Sequence, residues 1–111
     1  DYWDTIADGL SAVRPGVFPF LHLQRYLDDI VLIGEENIAN SFCILRDRAK
    51  IVGEPAGVVA TAAFLSDKVD ISLATVAVVT GGNVTAETTL QLTEMADQLS
   101  SCGDHPKDEC K

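Results

Sequence analysis

Four residues that close an apolar run, Thr80-Gly81-Gly82-Asn83 after Ala74-Thr75-Val76-Ala77-Val78-Val79, put a hydroxyl, two glycines and a carboxamide at one point of the chain. The pattern predicts a buried strand over 74–79 that delivers polar groups to its carboxyl end, where open α/β sheets bind ligands. The glycines allow a sharp turn and the close approach of another group. A plain strand-to-helix turn with no ligand accounts for the same residues. Glu54 is a second candidate, because it precedes Pro55 at a predicted helix start, where a carboxylate can be held with a perturbed pKa. Capping of that helix is the simpler role for it. Asp8-Gly9 marks a turn near the start of the chain.

Other chemistry-bearing side chains are scattered. Lys50, Lys68, Lys107 and Lys111 are the only lysines, and none lies in a glycine-rich or apolar setting suited to a Schiff base. Cys102, His105 and Cys110 have the right types for a metal site but neither the number nor the tight pairing that zinc requires, so no metal is expected. His22 has no patterned nucleophile beside it and reads as a partly exposed structural histidine. Glu35-Glu36 complements a helix N-terminus, and Asp28-Asp29 reads as a solvated boundary.

The elements that must position these groups follow from periodicity. Phe20, Leu23 and Leu27 predict a short amphipathic helix near residues 17 to 28, with Pro19 in its first turn. Ile30-Val31-Leu32-Ile33, bounded by Asp29 and Gly34, predicts a short strand buried on both faces. A helix follows with the stripe Ile38, Phe42, Leu45 and Ala49, acidic at its start and basic at its end. Pro55 fits the first position of the next helix, whose residues 58–65 are apolar nearly all round and need cover on most of their surface. A domain of this size buries only about two thirds of its surface, so that cover is expected from further chain or from a partner. Thr85 caps a last helix with the stripe Leu92, Met95, Ala96 and Leu99. Residues 1–99 therefore form one unit, followed by a polar, flexible tail over 100–111. The predicted order of strands and helices gives an α/β piece with parallel pairing.

Composition narrows the partners. The chain has 111 residues, 47% hydrophobic and 23% charged, with a formal net charge of −9. That balance offers no basic stripe for nucleic acid and no attraction to an anionic membrane surface. Its longest apolar run is too short to span a bilayer. Three unevenly spaced cysteines give no disulfide framework, so a reducing, cytoplasmic setting is expected. The opening Asp1-Tyr2-Trp3-Asp4, without an initiator Met, reads as part of something longer.

Four segments in order and spacing, Thr5-Ile6-Ala7-Asp8-Gly9-Leu10, Arg25-Tyr26-Leu27-Asp28-Asp29-Ile30, Glu54-Pro55-Ala56-Gly57 and Val79-Thr80-Gly81-Gly82-Asn83-Val84, resemble the C-terminal stretch of the threonine/serine dehydratases and serine racemases. These are fold type II, tryptophan-synthase-β-like enzymes that use pyridoxal 5'-phosphate. The resemblance covers about residues 3 to 98 and implies a three-layer α/β/α parallel-sheet piece, the C-terminal part of the large, cofactor-binding domain. It matches Thr80 to a serine whose hydroxyl bonds the pyridine nitrogen of the cofactor, with Gly81 and Gly82 beside the ring. Glu54 and Gly9 match residues near the cofactor, and Asp8 matches one lining the substrate cavity. A neutral hydroxyl cannot hold the ring nitrogen protonated as an aspartate would, which suits β-elimination.

The resemblance also implies what lies elsewhere. The Schiff-base lysine, the phosphate loop and the family's acidic metal site fall upstream of the matched region, so no catalytic residue is expected on this chain and the isolated chain is expected to be inactive. Lys50 and Asn83 match positions near a nucleotide effector site of serine racemases, although one lysine and one asparagine do not make an ATP site. The implied activity is an ammonia-lyase converting L-threonine or L-serine to a 2-oxo acid, in a homo-oligomer completed by the rest of the enzyme. Serine racemase, or a non-catalytic remnant acting as an interaction module, is the alternative.

Overall fold

The computed structural model describes residues 4–70, 72 and 74–102. A short 3₁₀ turn, Asp8–Leu10, comes first, closed by Leu10 N–H donating to the Ala7 carbonyl at 2.8 Å. Helix α1, Val17–Tyr26, begins after Gly16 with Pro19 in its first turn, and it ends where Leu27 turns to extended backbone. None of its residues is buried. Its stripe of Phe20, Leu23 and Leu27 instead lines an open apolar groove of about 490 Å³ together with Pro15 and Ile30.

Helix α2, Glu35–Ile44, is the centre of the molecule and buries Ile38, Ala39, Ser41 and Phe42. It continues as a π-helical turn, Leu45–Ala49, which closes on Lys50 in the left-handed region at φ +59°. The π turn inserts extra winding and rotates the following residues off the inner face. Ala49, expected on the apolar stripe, is therefore exposed while Leu45 still packs partly against the core.

A 3₁₀ turn, Pro55–Val58, leads into α3, Val59–Leu65. Pro55 occupies the first turn, as its missing N–H and fixed φ favour. Val58, Ala62 and Ala63 face inward, whereas Phe64 and Leu65 stay exposed, so α3 is covered on one side only. Helix α4, Ala86–Cys102, starts from a genuine cap: Thr85 Oγ1 accepts the Thr88 N–H at 3.1 Å and the Thr85 carbonyl accepts Thr89 N–H at 3.0 Å. Its Leu92 and Ala96 complete one core with Ala7, Ile38, Ala39, Phe42, Val58 and Ala62. Within that core the Ser41 hydroxyl donates to the Val58 carbonyl at 3.3 Å, tying α2 to the start of α3.

The expected three-layer α/β/α sheet is not formed. Among the described residues every regular element is helical, and no strand is present. Residues 30–33 and 74–79, expected as buried strands, lie outside the helices with Leu32 87% and Val76 88% exposed. A continuous apolar run reports a demand for burial, not a pairing partner, and a strand exists only when a neighbour supplies the other half of its ladder. Just past the second segment, the Thr80 N–H donates to the Gly57 carbonyl at 3.3 Å, a contact with a helical turn and not with a strand.

Candidate functional site

Three segments far apart in sequence meet at one corner of the helical layer. The Asp8–Leu10 turn is fixed from behind by Glu35, whose carboxylate accepts the Thr5 hydroxyl at 2.6 Å and the Ile6 N–H at 2.9 Å. Thr5 Oγ1 in turn accepts the Ala7 N–H at 3.1 Å, and Ala7 is buried in the core. The turn so anchored lies against the 55–58 turn. A Cβ placed on Gly9 would stand 3.0 Å from the Ala56 Cβ and 3.8 Å from Glu54 Oε1.

Glu54 stands immediately before the second turn, and its carbonyl accepts the N–H groups of Gly57 at 2.9 Å and Val58 at 3.1 Å. Its side chain makes no capping bond. The half-buried carboxylate arm instead crosses the third segment, lying where a side chain at Gly81 would be. Gly81 has φ +73°, so glycine is required there both by conformation and by space. Thr80 is exposed, and among the described residues its hydroxyl has no hydrogen-bond partner, while its backbone is held by Gly57.

Gly9, Glu54, Thr80 and Gly81 are thus brought together, and Asp8 sits exposed on the adjoining turn. The spaces vacated at Gly9 and Gly81 are taken up by this chain's own Ala56 and Glu54. Gly82 is less confined: a Cβ there would come no closer than 3.8 Å to the Val52 carbonyl. That crossing leaves Asn83 exposed one residue beyond Gly82, and Lys50 two residues before Val52, where its ammonium donates to the Asp47 carbonyl at 2.7 Å. His22 lies on exposed α1 with Nδ1 2.9 Å from the Phe18 carbonyl, a local helix contact.

Sequence reasoning gave Glu35 only a helix-terminus role, included Gly57 only within the Glu54-Pro55-Ala56-Gly57 segment, and gave Gly53 no role. For the glycines a signal existed: they bracket Glu54-Pro55-Ala56 at a spacing of four, as glycines do where a second backbone passes close by. Nothing in the sequence distinguishes Glu35, which anchors the first turn, from Glu36 beside it. Among the described residues no group of three or more His, Cys, Asp or Glu side chains is placed to hold a metal. The trio Cys102, His105 and Cys110 lies outside what is described, except for the backbone of Cys102 at the end of α4. Among the same residues no helix is long and apolar enough to cross a membrane.

These turns gather an exposed hydroxyl and a carboxylate arm on glycine-rich backbone, backed by packed helices. Comparison with known proteins gives the chain its context. The chain is 40% identical over 96 residues to the L-threonine dehydratase catabolic TdcB of Escherichia coli (strain K12), covering 84% of this chain and 29% of that protein. It is 41% identical over 85 residues to an L-threonine ammonia-lyase of Geobacter sulfurreducens, covering 76% of this chain and 21% of that protein. With an L-threonine ammonia-lyase of Thermotoga maritima it shares 41% over 81 residues, 72% of this chain and 20% of the relative. No family model matches the chain. By these matches the chain is a homologue of the threonine dehydratases and threonine ammonia-lyases, and it spans less than a third of the length of these relatives.

Proposed function

We propose that the protein carrying this chain is a pyridoxal-phosphate-dependent ammonia-lyase that dehydrates and deaminates L-threonine or L-serine to a 2-oxo acid. The convergence of Thr80, Gly81, Glu54 and Gly9 at one corner carries the reading, in a chain whose relatives are named as threonine dehydratases and ammonia-lyases. The residues present fit the cofactor's ring by the chemistry of their donors, since Thr80 offers a neutral hydroxyl without a protein partner to a ring nitrogen. When bound, pyridoxal phosphate supplies the electron sink that elimination from an amino acid requires.

The part played by this chain is to bind and orient. The Thr80 hydroxyl would donate to the pyridine nitrogen of the bound cofactor without holding it protonated. Gly82, with no side chain and open space beside it, would leave room next to the ring, while Gly81 admits the Glu54 arm. Glu54, crossing Gly81, would close the flank of the site, and the Asp8–Leu10 turn would contribute its outer edge towards the amino-acid substrate. The lysine that carries the cofactor is supplied from outside this chain, so the isolated chain is inactive.

Thr80→Ala in the full-length protein removes one hydrogen bond to the ring, worth about 1 kcal/mol. The expected outcome is a shifted cofactor absorbance and a fall of roughly fivefold in kcat/KM for threonine. An unchanged spectrum and rate would take Thr80 out of the site. Formation of 2-oxobutyrate and ammonia from L-threonine supports the lyase. D-serine as the only product from L-serine would replace it with a racemase.

A further inference from the structure

We infer that Gly53 and Gly57 form a slot that seats the Thr80 peptide and so fix where its hydroxyl meets the ring; this rests on the cofactor reading above. Both glycines are buried, and neither has a positive φ, so backbone conformation does not explain them. Space does. A Cβ on Gly57 would overlap the Thr80 carbonyl and come within 2.9 Å of Thr80 Oγ1. A Cβ on Gly53 would stand 3.2 Å from the same carbonyl oxygen, 3.0 Å from Val79 Cγ1 and 2.9 Å from Val58 Cγ1. The Gly57 carbonyl accepts the Thr80 N–H at 3.3 Å, so the peptide units before and after Thr80 are gripped by the same short loop.

The two positions differ in severity. The atoms opposing Gly57 include the Thr80 carbonyl, which cannot swing aside as a flexible side chain can. Those opposing Gly53 include two valine tips and a carbonyl that must give by only a few tenths of an ångström. An added methyl at 57 therefore displaces Thr80, and one at 53 nudges it in a graded series. Both are positioning residues that act through Thr80.

The test uses the full-length protein with Gly57→Ala, Gly53→Ala and Thr80→Ala, and with Leu92→Ala as a control that loosens the core elsewhere. Two signals are read: hydrogen exchange of the Thr80 amide in the apo protein, and the absorbance and dissociation constant of added pyridoxal phosphate. For Gly57→Ala the Thr80 amide should exchange faster, the absorbance should shift, and the cofactor dissociation constant should rise roughly tenfold. Gly53→Ala should move both signals the same way by less. Leu92→Ala should lower Tm without shifting the absorbance.

Wild-type Thr80 exchange and absorbance in both glycine variants would overturn the slot, and so would an equal absorbance shift in Leu92→Ala. Should Gly57→Ala fail to fold, Gly53→Ala decides by the same readings. If Thr80→Ala leaves the absorbance unchanged, the cofactor reading fails while the slot is still judged by amide exchange. If Thr80→Ala shifts it and the glycine variants shift nothing, the slot fails and the reading stands.

Discussion

Among the described residues Lys50 and Asp67 are the non-glycines with positive φ, and lysine, unlike aspartate, is not a type enriched there. Lys50 ends the π turn at φ +59°, a region in which a side chain is crowded by its own backbone and glycine is not. Its ammonium recovers part of that cost through the Asp47 carbonyl at 2.7 Å. Lys50→Gly should raise the unfolding free energy by roughly 0.5–1 kcal/mol, read from the denaturant midpoint at constant m-value. One turn earlier, Arg46 grips Asp47 through Nε at 2.7 Å and Nη2 at 3.0 Å. The hydrogen bond from Arg46 holds the Asp47 carboxyl below its ordinary value against some desolvation, with smaller help from the charges of Arg46 and Lys50. A lowered folded pKa means that the stabilisation is complete above the ordinary carboxylate range and is lost as pH falls through the lowered value. The Asp47 side chain is largely solvated and that of Arg46 partly so, so the effect is best read as a titration midpoint. That midpoint should move up in Arg46→Gln when followed by carboxyl chemical shift.

The helices differ in what holds their ends, and α4 and α2 make the contrast. Thr85 caps α4 through its hydroxyl, so Thr85→Ala should cost about 1 kcal/mol and fray the first turn, visible as faster exchange of the Thr88 amide. Glu35 at the start of α2 serves less its own helix than the preceding segment, through Thr5 and Ile6. Glu35→Ala leaves that hydroxyl and N–H unmet, and roughly 1–3 kcal/mol should be lost, with exchange rising at Ile6 and Ala7. The apolar periodicity of 3.6 made α1, α2 and α4 legible in sequence, with the Thr85 cap for α4, and Pro55 before an apolar run marked α3. The π turn was not legible, because Leu45 and Ala49 look equally apolar in a continuing α-helix. The segments 30–33 and 74–79 were read as strands because apolar runs state that burial is wanted and say nothing about who provides it. At the site, Thr80-Gly81 and Glu54 stood out by type. Their convergence depends on the loop between Gly53 and Gly57 admitting a second backbone, a long-range relation that residue spacing alone does not encode.

At the scale of the molecule, the apolar surface left open is the main physical fact. Among the described residues many large apolar side chains are exposed: Phe18 and Tyr26 on α1, Ile30 and Leu32 after it, Val76 and Val78 before Thr80. Large apolar patches on soluble proteins mark surfaces that are covered by something else. The charge of −9 opposes association at low salt, and the apolar attraction is not screened by salt while that repulsion is. The isolated 111 residues should therefore self-associate more as salt rises, with sedimentation showing species above 11.9 kDa and with strong binding of a hydrophobic dye. The pair Leu32→Asp and Val76→Asp should reduce both signals without loss of helical circular dichroism, because neither residue touches the helical core. A monomer that unfolds cooperatively, binds no dye and ignores salt would mean that these residues close on themselves, and the open faces of α1 and of the segments beside it would lose their significance.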